Sequence, residues 1–297
     1  MLSLAVPGST GLRNPVTPWQ GGISFSNFSL FLYPKQSIYP PTTTSMHEKA
    51  ETLIEKKIAA VRYEQAALDQ LLDFSGFPEP FLKADGKFLL RWRRAVIDRL
   101  VREDIRDLTR IISLENVETL IQLLPERIGS PLSLNSLKVD MMVSHSAVRN
   151  AISALRLTYL IFLIPPYSQK IARSIKKEKK CYFYDWTMCK GLAQRFENYV
   201  ALELKIMTEL WNDEGIAVFD LFYLRQRNSR ETDFLITRES IPWCLFEVKL
   251  KDSSIDSHHY GHSEALGNIP LVQVAHENGI LKKNDRFYRI SASRFFT

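Results

Sequence analysis

Three side chains near the C-terminal end of this sequence have the types and spacing needed to cut phosphodiesters. Asp233 is followed, after thirteen intervening residues, by Glu247, and Lys249 stands two positions further on. Such hydrolysis needs a divalent cation to polarise the phosphate and a water made nucleophilic beside it. Hard carboxylate oxygens suit Mg²⁺, which keeps several waters and takes one or two carboxylates. A lysine beside the metal orients the water and stabilises developing negative charge. Residues two apart on a strand share a face, so Glu247 and Lys249 point the same way. The apolar run Trp243-Cys-Leu-Phe246 before them reads as a buried central strand.

A fourth acid, Glu197, falls among Ala193, Val200, Ala201 and Leu204 on a helical wheel. A carboxylate inside an apolar stripe faces the core and calls for a cation, which marks it as an additional ligand. The competing reading is structural: Glu247 and Lys249 form a plain ion pair at a strand end, and Glu197 pairs with a lysine of the basic stretch. That stretch, residues 165–195, holds eight Lys or Arg against Glu178 and Asp185. Lys176, Lys177, Lys179 and Lys180 at its centre, with Arg225, are candidate phosphate contacts; alternatively they form a solvated face. The segment Ser257-His-His-Tyr-Gly-His262 offers three histidines that suit Zn²⁺, although its Ser, Asp and Gly content reads as a loop.

The elements that position these residues alternate from Lys180 onward. A short strand covers Cys181–Tyr184 and a helix runs from about Lys190 to Trp211. Strands follow near Ala217–Leu224, Thr232–Thr237, Trp243–Leu250, Leu271–Ala275 and Phe287–Ser291. Upstream, a helix extends from the Ser45/Glu48 capping box to about Asp73, a second covers Phe88–Ile111, and a third holds Val117, Leu120, Ile121 and Leu124. Residues 132–164 have the rhythm of a winged helix-turn-helix. In its second helix Val148, Ala151, Ile152 and Leu155 are buried, whereas Arg149, Asn150, Ser153 and Arg156 face outward. Such residues touch phosphates and base edges, so Arg149 is a further nucleic-acid candidate; many such helices only pack against neighbours. The expected organisation is a poorly structured leader over residues 1–44, a helical region over 45–128, a winged-helix-like module over 129–166 and an α/β domain over 167–297.

Composition narrows the class. Hydrophobic residues make up 45% and charged residues 24% of the 297, as in a soluble globular chain. The net charge of +6 is mild. No apolar run approaches the ~20 residues of a membrane span, and Met1–Pro7 lacks a basic signal region. Cys181, Cys189 and Cys244 form no CxxC pair and read as reduced thiols. A cytoplasmic protein is expected. No G-x-x-x-x-G-K-[ST] loop occurs, so the chain offers no ATP site. No G-x-S-x-G elbow or HExxH helix is present either.

An ordered set of segments carries a resemblance. Gly76-Phe-Pro-Glu-Pro-Phe81, Arg91-Trp-Arg-Arg94, Arg102-Glu-Asp-Ile-Arg-Asp-Leu108, Leu163-Ile-Pro-Pro-Tyr-Ser168, Tyr182-Phe-Tyr-Asp185, Phe196-Glu-Asn-Tyr-Val200, Glu231-Thr-Asp-Phe-Leu-Ile236 and Phe246-Glu-Val-Lys249 follow one another over residues 65–275. Together they resemble the C-terminal part of prokaryotic AAA+-type ATPases, which carries a domain of unknown function related to PD-(D/E)xK nucleases. The resemblance implies helices that follow an ATPase core, a winged-helix module and then a restriction-endonuclease-like α/β domain. It places that family's acidic and lysine positions on Glu197, Asp233, Glu247 and Lys249. Mg²⁺ is the implied cofactor, and DNA and a separately encoded P-loop ATPase core are the implied partners. The sequence departs from the family in lacking that core, in Trp186-Thr187 where a Gly-containing turn is usual, and in Leu224 where an aromatic is common. A non-catalytic DNA- or protein-binding module and a decayed remnant of the ATPase are the rival expectations.

Overall fold

A computed structural model describes residues 49–59, 65–105, 113–168, 177–226 and 230–296. The leader over residues 1–44 and Lys176 lie outside the described residues. The fold is mixed α/β.

The N-terminal half is helical. Helices α1 (Ala50–Ala59), α2 (Gln65–Phe74), α3 (Pro78–Lys83) and α4 (Gly86–Arg99) are followed by a π-helical turn over Leu100–Ile105 and by α5 (Leu114–Leu123). Each boundary has a local cause. Pro78 opens α3, Asp85 caps α4 by accepting from the Phe88 amide, and Ser113 caps α5 by accepting from the Asn116 amide. The short α3 was not foreseen, because its Pro-Glu-Pro start reads as a helix breaker.

Helices α6 (Leu134–Met141) and α7 (His145–Leu157) form the helix-turn-helix. Met142 closes α6 in the left-handed region with φ of 52°, and Ser144 caps α7. Val148, Ala151, Ile152 and Leu155 of α7 are buried, while Arg149, Asn150, Ser153 and Arg156 are exposed, as expected. Strand β1 (Ile161–Ile164) then pairs antiparallel with β2 (Lys180–Phe183), with Ile164 opposite Lys180. The strand read as the start of the α/β domain thus pairs with β1.

The second unit is a six-stranded sheet in the order β3-β4-β5-β6-β8-β7, built from β3 (Phe219–Arg225), β4 (Glu231–Arg238), β5 (Ile241–Lys249), β6 (Leu271–Ala275), β7 (Leu281–Asn284) and β8 (Phe287–Ser291). The β3-β4-β5 run is antiparallel, whereas β6 lies parallel to both β5 and β8. Helix α8 (Leu192–Asp213) covers one face. There Phe196, Val200 and Leu204 share a core with Phe234, Ile236, Cys244, Phe246, Val272 and Val274. The C-terminal α10 (Ala292–Phe295), Phe296 and α1 close that same core. Leu235, Leu245, Leu271 and Phe287 form a smaller cluster on the other face, joined by Ile255 and Leu266 at the two ends of α9 (Ser257–Ala265). Helix α9 stands where a histidine loop was expected. Buried fully on both faces, β6 is the continuous apolar run that a central strand requires.

Two backbone features position the site. The β3–β4 register runs from Phe222 opposite Leu235 to Leu224 opposite Thr232. Tyr223 therefore stands opposite both Asp233 and Phe234, and the alternation of β4 reverses there. Tyr223 instead bonds its backbone to Pro165 and Tyr167 of the chain leaving β1. Second, Asn198 of α8 clasps the backbone of Phe183 on β2, its Oδ1 accepting from the amide at 2.8 Å and its Nδ2 donating to the carbonyl at 2.7 Å. A fully buried amide thus satisfies a strand edge that would otherwise be unpaired.

Candidate functional site

The ladder between β4 and β5 ends at Phe234 opposite Phe246. Beyond it the side chains take over. Glu247 Oε2 accepts from the Asp233 amide at 3.4 Å, and Asp233 Oδ2 accepts from the Val248 amide at 2.8 Å. Lys249 Nζ lies 2.8 Å from Glu247 Oε1, as the two-residue strand period requires. Asp233, Glu247 and Lys249 are therefore neighbours at the diverging ends of two strands.

Glu197 has found its cation, and that cation is Lys180. The Lys180 ammonium is 1% exposed and sits 2.6 Å from Glu231 Oε1, 3.4 Å from Glu197 Oε1 and 3.8 Å from Asp233 Oδ1, with the Tyr223 ring on one side. Tyr182, two residues further along β2, donates its hydroxyl to Glu197 Oε1 at 2.8 Å. Gly129 makes room for this carboxylate. It has φ of 77°, and a Cβ at that position would lie 2.9 Å from both Glu197 oxygens. The reading of Lys180 as a surface phosphate contact is corrected: β2 carries it inward, and burial among three carboxylates leaves no phosphate access.

The remaining basic candidates stay at the surface. Lys177 is exposed and Lys179 half-buried, and Arg149 is exposed on α7. Arg225 is half-exposed at the end of β3, 3.8 Å from Glu231 Oε2.

Sequence reasoning missed Glu231, and it named His259 only as one of three histidines in an expected loop. Glu231 opens β4 in a Glu-x-Asp pattern that mirrors Glu-x-Lys on β5, and that repeat was the signal available. His259 is 1% exposed and holds Nδ1 at 2.8 Å from Thr232 Oγ1, while its Nε2 lies 3.6 Å from Glu247 Oε2. The same Thr232 hydroxyl meets His262 Nδ1 at 2.8 Å.

The electrostatics follow from burial and charge crowding. Burial, then the charge of Asp233, pushes Glu247 up to about 8 against the opposing pull of Lys249. Burial and Asp233 push Glu197 up to about 7, opposed by Lys180 and the Tyr182 hydroxyl. For Lys180, burial favours the neutral amine, but Glu197, Asp233 and Glu231 together outweigh it and hold the group charged. Lys249 is likewise held charged, its partial burial being outweighed by Glu247. His259 falls to about 4, through burial and then the neighbouring His258, and is neutral at physiological pH.

This donor set fits a hard divalent cation. Asp233 and Glu247 are crowded carboxylates, with the Lys249 ammonium against Glu247 and that of Lys180 3.8 Å from Asp233, and burial together with the neighbouring Asp233 charge raises Glu247. Glu197 fits less well, since its Oε1 is already engaged by Lys180 and Tyr182.

Residues 65–198 match a family described only as a domain of unknown function (DUF8612). The match spans the helical region, the helix-turn-helix, β1, β2 and the start of α8, and ends at Asn198, before the six-stranded sheet. No curated protein and no solved structure matches the chain. Among the described residues, no helix is long and apolar enough to cross a membrane.

Proposed function

We propose that the six-stranded unit is a restriction-endonuclease-like domain that hydrolyses nucleic-acid phosphodiesters with Mg²⁺ held by Asp233 and Glu247. The supporting observation is that Asp233, Glu247 and Lys249 lie together where β4 and β5 diverge, with Glu247 held near 8 by burial and a neighbouring carboxylate. When bound, the ion supplies polarisation of a phosphoryl oxygen and a more acidic water. Lys249, kept charged by Glu247, orients the attacking water and offsets charge that develops on the phosphate. Glu197, fixed by Lys180 and Tyr182, ties α8 to β2 beside the acidic cluster. Lys177, Lys179 and Arg225 are the surface cations available to a phosphodiester backbone. DNA is the expected substrate, and a separately encoded P-loop ATPase core the expected partner.

The test is incubation of purified chain with double-stranded DNA, single-stranded DNA and RNA in Mg²⁺ or Mn²⁺. Chelator-sensitive cleavage abolished by Lys249→Ala supports the reading. Intact substrates, together with no heat of metal binding, overturn it.

One observation favours a second reading. The Lys180 ammonium already neutralises part of the acidic cluster, and Arg149, Asn150, Ser153 and Arg156 are exposed along α7. A non-catalytic DNA-binding module would use that helix, and its DNA binding would be salt-sensitive and survive both chelator and Lys249→Ala.

A further inference from the structure

The N-terminal turn of α9 places a different donor set beside the acidic cluster. One ligand atom each from Asp256, His258 and His259 lies within 4.8 Å of the others. The neighbouring hydrogen bonds decide which ring atoms are free. His258 Nε2 is 2.9 Å from the Glu231 carbonyl oxygen. A carbonyl only accepts, so Nε2 carries the proton and Nδ1 is left as a bare lone pair. An imidazole whose far N–H is tied to a backbone carbonyl is the arrangement that orients metal-ligating histidines.

His259 is set up in the same way by a side chain. Thr232 has one hydroxyl proton and meets two Nδ1 atoms, those of His259 and His262, at 2.8 Å each. One hydroxyl proton can serve only one of the two rings, so at least one Nδ1 carries a proton and donates to this oxygen. With His259 as donor, its Nε2 is bare. That atom is fully buried and has no hydrogen-bond partner. It lies 3.6 Å from Glu247 Oε2, beyond hydrogen-bond distance, and so is left without a partner.

Asp256 is the third donor. It occupies the N-cap position of α9, where an aspartate ordinarily accepts from the first-turn amides, yet its side chain makes no such bond. Its exposed carboxylate makes no capping bond and is reachable by an ion from solvent.

We propose that Asp256, His258 and His259 form a binding site for a borderline-soft divalent ion of the Zn²⁺ class, adjacent to but distinct from the Asp233/Glu247 pair. Two imidazoles and one carboxylate suit Zn²⁺ rather than Mg²⁺. Three protein ligands leave a coordination position open on the side of Glu247. Thr232 is a positioning residue: it sets the His259 tautomer without touching the ion. The proposal is independent of phosphodiester hydrolysis, since it requires neither Lys249 nor a nucleic acid.

The experiment is equilibrium dialysis of the chelator-stripped full chain against Zn²⁺ alone, with Co²⁺ absorption as a second readout. The expected result is about one equivalent bound, with a tetrahedral-type Co²⁺ spectrum free of thiolate charge transfer. His258→Gln, at a half-buried position that leaves the fold intact, and His259→Asn each weaken binding more than tenfold. Thr232→Val weakens it about tenfold with all three ligands still present. Lys249→Ala, which removes a positive charge acting on His259 and Asp256, does not weaken it. Absence of binding by the wild-type chain, or binding indifferent to His258→Gln and Thr232→Val, overturns the proposal. Neither result bears on Mg²⁺-dependent cleavage, which is assayed without Zn²⁺.

Discussion

Asp233 and Glu247 hold each other's strands: each carboxylate accepts a backbone amide from the opposite strand, Glu247 from Asp233 and Asp233 from Val248. The residues proposed to carry the chemistry therefore also close the sheet at the point where its ladder stops. Charge and hydrogen bonding at Asp233 are separable by substitution. Asp233→Asn keeps an oxygen for the Val248 amide, so it is expected to melt close to the wild type while losing Mg²⁺-dependent cleavage. Asp233→Ala leaves that amide without its acceptor and is expected to lose about 1–3 kcal/mol as well. Urea denaturation and the cleavage assay, run on both variants, check the distinction; equal melting of the two would refute the clasp.

Lys180 is expected to be a stability residue. Removing one partner of a buried ion cluster strands the others without compensation, at about 3–5 kcal/mol. Lys180→Met should lose stability on that scale. Lys177→Ala, at an exposed position, should melt like the wild type and alter only retention on DNA. Restoring part of the loss with Glu231→Gln in the Lys180→Met background would show that the carboxylates, rather than lost packing, cause it.

Gly129 offers a control built into the chain. Alanine there meets both a left-handed backbone and the Glu197 oxygens at 2.9 Å, so Gly129→Ala is expected to cost about 1–3 kcal/mol. Gly215 has a similar φ of 70° but open space around it, and Gly215→Ala should cost less. Thermal melts of the two variants isolate the contribution of the carboxylate contact.

The pH dependence has a defined sign. Glu197 and Glu247 have folded-state positions of about 7 and about 8, above those of an unfolded chain. Between the ordinary glutamate range and those values the folded state binds more protons, so these two groups make stability fall as pH rises from about 4.5 to about 8. In chelator, Glu247→Gln should flatten that slope and stabilise the protein at pH 8, where the wild-type side chain is half-ionised in a buried place. Guanidinium midpoints at pH 5, 6.5 and 8 test it; a wild-type midpoint that rises across this range with no change in Glu247→Gln would contradict it.

The strand-borne triplet was legible because a period of two is unambiguous once a buried strand is recognised, and Trp243–Phe246 signals one. Glu197 was legible for a related reason, since a carboxylate in an apolar helical stripe must have a counter-charge. Its partner was readable only as some lysine of the basic stretch, not as Lys180 in particular. Lys180 ends a run of surface lysines, and only the pairing of β2 with β1, together with the Asn198 clasp, turns it inward. The register shift opposite Tyr223 was equally hidden, because Thr232-Asp233-Phe234-Leu235 alternates normally in the sequence while two of its residues face one partner. Composition misled at Ser257–Ala265: Asp256, Ser257 and Gly261 suggest a loop, but Asp256 instead begins a helix. Strand β7 escaped because all four of its residues are exposed, leaving no apolar pattern to read.

Strand β2 belongs to the two-stranded sheet of the helix-turn-helix, yet its first residue neutralises acids that belong to α8 and β4. The two units consequently share one charge balance, and neither can be excised without leaving the other with an uncompensated excess. Any displacement of β2 would withdraw the Lys180 ammonium and leave that negative charge uncompensated. Mechanical displacement at one surface and electrostatic potential at another are thus tied together through a single lysine.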